Sequence, residues 1–562
     1  MTEEKDSAIG TGEEAWMGDR NQIQFINASI WCGSPVRMIS GSMRIKGPRI
    51  AEVREDTTKP GKVLPNAVDL QGMHIIPGLI DAHRHFFVGA MLSLSIDASW
   101  WTSKEDALYA IHDACWMNRA DKRWAFFTGM DHTKWKDMRL PTLKEIDAAA
   151  AGYPVFIPDI SFHRALVSSG AMIRAGISRK SMKIPSDIDV SWRGAATGLV
   201  WEDAVGRVFT AMFQDMREAL GTGGIRKLVV EEAGRLLASG ITHVHDPGLP
   251  WDVQQLLKGS RQDTRLKMSW SITNQDSLFS PPVDEDEEQS FQSDHAPKSV
   301  KFFLDGAHRT AGDVPLHAAL RAMARAGIES FAHRGTKPLK MMFDQKIVLS
   351  RGRVTTPYLR FRDSEELIMR ARFFTERGYR LVMHALGNTA ARQAADIVGR
   401  LRPVGGASVE HLAVLGERDM DIFAGCGAVA SIQPGFIPFY AHLFEAMGVI
   451  PYLKPFPLKS LSDRGVAVCI SSDGPCAGVD PLHNIRRAVD RRRLDDTVFV
   501  ESEAITKEQA LTAASIGGSL SMGNRNDGLV TGAPATFCIV SGDPFLDTSS
   551  VVQTWIDGRR VY

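Results

Sequence analysis

Apolar positions follow two rhythms along this chain. Near both ends they alternate with polar ones: Phe25-Ile26-Asn27-Ala28-Ser29-Ile30-Trp31 reads as a strand, and Arg44 to Val53 reads as a hairpin. Ala535 to Val540 repeats the strand pattern, and Val551 to Tyr562 predicts a hairpin turning at Asp557-Gly558. Neither end holds enough strands to enclose a core of its own. The expectation is one small composite β-sandwich domain built from residues 21–73 and 525–562.

Between the ends lie eight strand-like runs: His74–His83, Gly240–Asp246, Leu266–Thr273, Ser299–Asp305, Tyr379–His384, Ala407–His411, Ala428–Gln433 and Val466–Asp473. Arg226–Ser239, Ser364–Glu376 and Thr389–Leu401 carry apolar residues at helical spacing instead. Strands alternating with helices predict a parallel α/β architecture. Eight units match a (β/α)8 TIM barrel over residues 74–524, although periodicity alone also admits a doubly wound sheet. Insertions at about 86–225 and 306–363 break the rhythm, and long connections on a barrel tend to cover its mouth. The first holds Trp100, Trp101, Trp116, Trp124, Trp135, Trp192 and Trp201, expected mostly in a core with a minority lining an apolar pocket.

Composition narrows the picture. A chain of 562 residues buries a large core with appendages. Its 66 basic and 66 acidic side chains cancel, so no lopsided field invites nucleic acid or an anionic membrane. Six scattered cysteines without a Cys-x-x-Cys pair argue against a disulfide framework or structural zinc cluster, and fit a reducing cytosol. Residues 1–20 read as a disordered polar tail without the apolar core of a secretory signal. No run approaches the roughly 20 apolar residues that span a bilayer. A cytoplasmic location is expected.

The candidate chemistry begins in Pro77-Gly78-Leu79-Ile80-Asp81-Ala82-His83-Arg84-His85. On an extended backbone His83 and His85 share a face and Arg84 takes the other. Three further strand ends carry ligand-type residues: His384 in Val382-Met383-His384, His411 in Val409-Glu410-His411, and Asp473 in Ser471-Ser472-Asp473. Lys301 lies on the fourth strand before Phe302-Phe303. Each alone is ordinary, a packed or surface histidine or a lysine capping the barrel mouth. Gathered at the strand ends where barrels carry their sites, they point to a metal centre. Four imidazoles and a carboxylate suit Zn2+ or a similar first-row ion rather than Mg2+ or Ca2+. There is no Gly-x-Ser-x-Gly elbow, and Gly221-Thr222-Gly223-Gly224 lacks a Walker lysine and is expected to be a loop.

These stretches, with Asp305-Gly306, Gln433-Pro434, Pro141-Thr142-Leu143, Pro154-Val155, His163, Gly194 to Glu202 and Trp555 to Gly558, resemble the amidohydrolase superfamily. The match is to its amidohydrolase-3 branch of formamide-deformylase-like enzymes, from about Ile23 to Tyr562. The resemblance implies that His83, His85 and Asp473 bind the more buried of one or two ions, and that His384 and His411 hold the second. Lys301 falls where two-metal relatives use a carboxylated lysine as a bridge; a carbamate is an anion able to span two ions, whereas an amine is a poor ligand. Asp473 would take a proton from a water whose pKa the metal lowers towards roughly 7, and pass it to the departing amine. The second ion, or His411 or His384 if one ion is present, would polarise the carbonyl.

The implied substrate is a linear N-formyl or N-acyl amide, split into a carboxylic acid and an amine. His163 and Gln433 are candidate substrate contacts, and Phe86 and Trp135 candidate apolar lining. A small-molecule amide is the expected partner, with homo-oligomer formation open and neither nucleic acid nor membrane involved. Two other functions compete. A ring deaminase or cyclic-amide hydrolase of the same superfamily is one, but deaminases carry a glutamate shortly after the strand-five histidine, and Ala-Leu-Gly-Asn-Thr-Ala follows His384 here. A non-catalytic binding barrel is the other, and it would be expected to have lost ligands that are all present. Asn388 stands where relatives commonly have aspartate, and Gly532 to Thr536 departs from the usual Ala-Asp pair. His243 and His245 repeat the paired spacing, as a second metal site or as packing, and His132 and His308 have no assigned part.

Overall fold

The eight runs of the middle segment form eight parallel strands. They are β1 (Leu79–Asp81), β2 (Ile241–Asp246), β3 (Lys267–Trp270, resuming at Ile272–Thr273), β4 (Ser299–Phe303), β5 (Arg380–Ala385), β6 (Ala407–His411), β7 (Val429–Ile432) and β8 (Val468–Ile470). Each pairs in parallel with the next in chain order, the ladder passing through the interruption in β3. The computed structural model describes residues 22–56, 63–116, 124–135, 138–182, 187–249, 251–260, 263–273, 298–307, 309–332, 347–350, 352–446, 450, 452–476 and 480–562. The 1–20 tail and His308 lie outside the described residues. Among those described, no helix is long and apolar enough to cross a membrane.

The last strand closes on the first. Arg84 and Gly474 form a parallel bridge, Asp473 N donates to His83 O at 2.8 Å, and His85 N donates to Gly474 O at 2.8 Å. Ser472 donates its backbone N–H (2.9 Å) and its hydroxyl (2.5 Å) to the buried Asp81 carboxylate. A (β/α)8 barrel results. β2, β5 and β6 are buried along their whole length, as parallel strands covered on both faces must be. Helices pack outside. Ser364–Thr375 starts under an Asp363 cap, and Asn388–Leu401 lays Ala390, Ala391, Ala394 and Ala395 against the barrel, small enough for close approach.

Three details depart from the sequence pattern. The first run splits at Gly78: His74–Pro77 joins the sheet of the chain ends, and only Leu79–Asp81 enters the barrel. A Cβ at Gly78 would lie 2.7 Å from Thr242 Oγ1, so the crossing requires glycine. Gly221 to Gly224 is no loop; it lies within helix Glu202–Ala238, which breaks at Gly221 (φ 65°). The first insertion folds around its own sheet, in the order Ile188–Val190, Ala196–Trp201, Arg164–Val167, Val155–Pro158, Ala125–Thr128, Ile96–Asp97.

The two ends of the chain share one eight-stranded sheet, in which Phe537–Val540 pairs with His74–Pro77, and His74–Pro77 with Gln22–Cys32. Its last hairpin turns at Asp557-Gly558, both at positive φ (48° and 76°), the type I′ geometry that fits twisted strands. Gly558 also lies so close to Gly47 that an added Cβ would overlap the Gly47 carbonyl oxygen. Gly558→Ala is therefore expected to lower stability by about 2 kcal/mol or more, read as a lower denaturation midpoint. An unchanged midpoint would contradict the close seating of the C-terminal hairpin on the N-terminal one.

Candidate metal centre

The site is built at the C-terminal ends of β1, β5, β6 and β8. His83 is buried just beyond β1, and its Nδ1 donates to Glu410 Oε2 at 2.8 Å. A carboxylate only accepts, so the hydrogen is on Nδ1 and Nε2 is left to face Asp473 Oδ1 at 3.3 Å. His85 Nε2 is 3.5 Å from the same oxygen. Arg84 points the other way, donating to Glu232 Oε1 at 2.8 Å on helix Glu202–Ala238. That buried ion pair anchors the strand end with both imidazoles turned inward.

Strained backbone aims the remaining groups. Glu410 and His411 are consecutive, and strand alternation would send them to opposite faces. His411 takes φ 78° and Leu412 φ 44°, ending the strand so that both side chains address the centre. Asp473 does the same at φ 52°. The ring centroids of His83 and His411 lie 4.9 Å apart, and those of His384 and His411 4.4 Å apart. His411 Nδ1 donates to Gln433 Oε1 at 3.0 Å, leaving Nε2 free of that bond.

The donor set fits a divalent first-row cation. Among the described residues, one ligand atom each from His83, His411 and Asp473 lies within 4.8 Å of the others. Burial pulls His85 and His411 down to about 3 and His384 well below the usual histidine range, which keeps them in the neutral, metal-binding form. His384 Nε2, 3.6 Å from the buried Asp305 Oδ1, and Lys301 Nζ are both buried without a hydrogen-bond partner. Burial also lowers Lys301 to about 8. Orphaned nitrogens are costly in a closed site unless something absent from the protein chain occupies them.

His83, His85, His384, His411 and Asp473 line one cavity, with Ser161 and His163 as its other polar wall and Val88, Phe162 and Phe303 as apolar wall. Gln433 is fully buried behind this wall; it holds His411 and donates to Ser471 Oγ at 2.9 Å, so it orients His411 rather than reaching the cavity. Phe86 is not on the wall either. It packs in the core beneath the mouth, and Val88 is the residue of its helix that reaches the cavity. Trp135 is fully buried in the insertion's own core with Trp101 and Phe127. Trp100 is half exposed.

His243 and His245 belong to a packing network. His245 engages Ser269 and Ser271 with its two nitrogens at 2.8 and 2.9 Å, and His243 engages Ser269 at 3.1 Å. His132 lies against Arg164 in the insertion, at 3.0 Å. Asn388 bonds to Asp313 and Asp419, tying the second insertion to the barrel. Two contributors escaped the sequence pattern, Glu410 and Glu202. Glu410 precedes His411 and by alternation belonged to the wrong face. Glu202 reaches His163 Nδ1 at 2.7 Å from 39 residues away.

A model of the amidohydrolase family matches residues 66–562. The chain is 24% identical over 568 residues to N-substituted formamide deformylase of Arthrobacter pascens, covering 97% of this chain and 99% of that protein. It is 23% identical over 572 residues to Protein LONG AFTER FAR-RED 3 of Arabidopsis thaliana, covering 95% and 91%. Among solved structures, an uncharacterized metal-dependent hydrolase from Pyrococcus horikoshii OT3 superposes with a TM-score of 0.66 at 18% identity, covering 96% of this chain and 100% of that one.

Glu410→Gln removes the carboxylate that fixes the His83 tautomer. Metal affinity, measured by competition with a chelator, is expected to fall about 10- to 100-fold. Unchanged affinity would mean that His83 takes no part in metal binding.

Proposed function

The chain belongs to the amidohydrolase family, and from that premise we propose that it hydrolyses a linear amide, an N-formyl or N-acyl compound with an apolar or aromatic group. It is a metal-dependent hydrolase of carbon–nitrogen bonds. The observation that carries the substrate reading is a single carboxylate, Asp473, facing both His83 Nε2 and His85 Nε2 in a cavity whose apolar side includes Val88, Phe162 and Phe303. We assign His83, His85 and Asp473 as the residues that would hold one Zn2+ ion, His384 and His411 as those that would hold a second, and Lys301, as its carbamate, as an anion that would serve both. Bound zinc supplies Lewis acidity, lowering the pKa of a water and polarising a carbonyl.

The side chains do the rest. Burial pushes the Asp473 carboxyl up, but His83, His411 and His85 beside it outweigh that push and hold it well below its usual range, so it stands ionised with an oxygen open to a proton. Asp473 takes a proton from the attacking water and delivers it to the departing nitrogen, leaving a carboxylic acid and an amine. Phe162, Phe303 and Val88 exclude bulk water and favour an apolar substituent. The absence of a glutamate after His384, where Asn388 turns to Asp313, weighs against ring deamination.

The remaining architecture is read in the same way. The expected domains, 21–73 with 525–562 and 74–524, shift at one boundary: the shared sheet of the ends takes in His74–Pro77 and is taken as a small sandwich beside a barrel domain that begins at Leu79. Phe25 supports this, since its ring meets those of Phe537 and Trp555 at 5.5 and 5.6 Å although its strand neighbours neither of theirs in the ladder. None of the six cysteines is in a disulfide, which supports a reducing, cytoplasmic setting.

Elemental analysis of protein prepared with bicarbonate is expected to find two metal equivalents, falling to one or fewer in Lys301→Ala with turnover lost. One equivalent in the parent and an unaffected Lys301→Ala would overturn the bridged pair. Asp473→Asn should retain the fold and lower kcat on the order of 10³-fold in an amine-release assay with N-formyl and N-acyl amides. Ammonia release in place of amine release would favour deamination.

A further inference from the structure

One wall of the cavity comes from outside the barrel. In the first insertion, strands Arg164–Val167 and Ala196–Trp201 pair antiparallel with Arg164 opposite Trp201. The register places His163 opposite Glu202, and Glu202 N donates to His163 O at 2.8 Å. Their side chains meet as well, His163 Nδ1 to Glu202 Oε2 at 2.7 Å, with both residues buried. Left-handed backbone at Phe162 (φ 56°) and Glu202 (φ 43°) brackets the pair. Gly306, beyond β4, leaves the space that the carboxylate fills, since a Cβ there would overlap Glu202 Oε1. The His163 ring lies 5.5 Å from that of His384 and lines the cavity.

We propose that the Glu202–His163 pair is the site's grip on the substrate's amide group. Glu202 is the positioning residue. Its carboxylate only accepts, and at 2.7 Å it outcompetes the Ala307 backbone N–H, which approaches the same nitrogen at 3.3 Å, so it fixes the hydrogen on Nδ1 and turns the opposite nitrogen, Nε2, to the cavity. His163 contacts the amide through Nε2, beside His384. The barrel strands therefore hold the metal, while the insertion holds the amide. The inference rests on reading the cavity as an amide-hydrolysing site, and it predicts that the two tasks separate under mutation.

The test uses full-length protein loaded with cobalt in place of zinc, titrated with acetohydroxamate, a probe that carries both a carbonyl and an N–H. His163→Gln and Glu202→Gln are expected to keep the metal content and denaturation midpoint of the parent while weakening acetohydroxamate binding about tenfold or more. The double variant should bind no more weakly than the worse single one, because the two residues act as one unit. With a turned-over amide, the loss should appear in kcat/KM to the same extent. Binding within about twofold of the parent in both variants overturns the proposal, as does metal loss in parallel with binding loss, which would make His163 a ligand. His163→Gln alone decides the matter if Glu202→Gln fails to fold. Pair-dependent hydroxamate binding in a protein that cleaves no amide would refute the amide reading and leave the pair's ligand-gripping role standing.

Discussion

The structure depends on how the barrel closes. β8 returns to β1 through two backbone hydrogen bonds, Asp473 N to His83 O and His85 N to Gly474 O, reinforced by Ser472 on Asp81. These bonds fix the ring of strands, and the same residues set the distances of Asp473 from His83 and His85. Closure and ligand geometry are one event. A shift of one residue in that register would turn the imidazoles away from the carboxylate, since side chains alternate along a strand. The Arg84–Glu232 pair adds a buried anchor on the opposite face, where breaking it would strand a charge away from water.

Below the site the barrel is filled with polar groups as well as apolar ones. Arg380 donates to Ser408, Ser408 donates to Glu410, and Glu410 accepts from His83. A parallel chain runs from Ser431 and Ser471 through Gln433 to His411. Low dielectric makes such pairing costly to forgo, and in the first chain only Arg380 Nε is left without a partner. The chains end at His83 and His411, and the buried nitrogens of His384 and Lys301 without hydrogen-bond partners lie outside them. Polar order thus runs up to the cavity and stops where an ion would complete it.

Much of this was legible in the sequence because barrel strands are short apolar runs whose C-terminal residues carry chemistry. His83, His85, His384, His411 and Asp473 all fall at such ends and line one cavity. What was not legible depends on backbone direction or on distant contacts. Glu410 was hidden by alternation, which fails where His411 adopts a positive φ. Glu202 was hidden by the insertion, whose sheet register no local pattern reveals. Trp135 and Phe86 misled because large aromatics next to a candidate site more often fill a core than line a cavity; both are buried in one. The boundary at Gly78 was invisible because the apolar run continues through it while the chain changes sheets.

The barrel and the insertion contribute different things, a buried cluster of imidazoles and a carboxylate from strand ends and a hydrogen-bonded imidazole from an added sheet. The central claim is that the strand-end cluster is a metal centre, and anomalous diffraction from crystals of zinc-loaded protein at the zinc edge tests it directly. An anomalous peak in contact with His83, His85 and Asp473 is the predicted result. A peak elsewhere, or none at that cluster in protein shown to contain zinc, would contradict it.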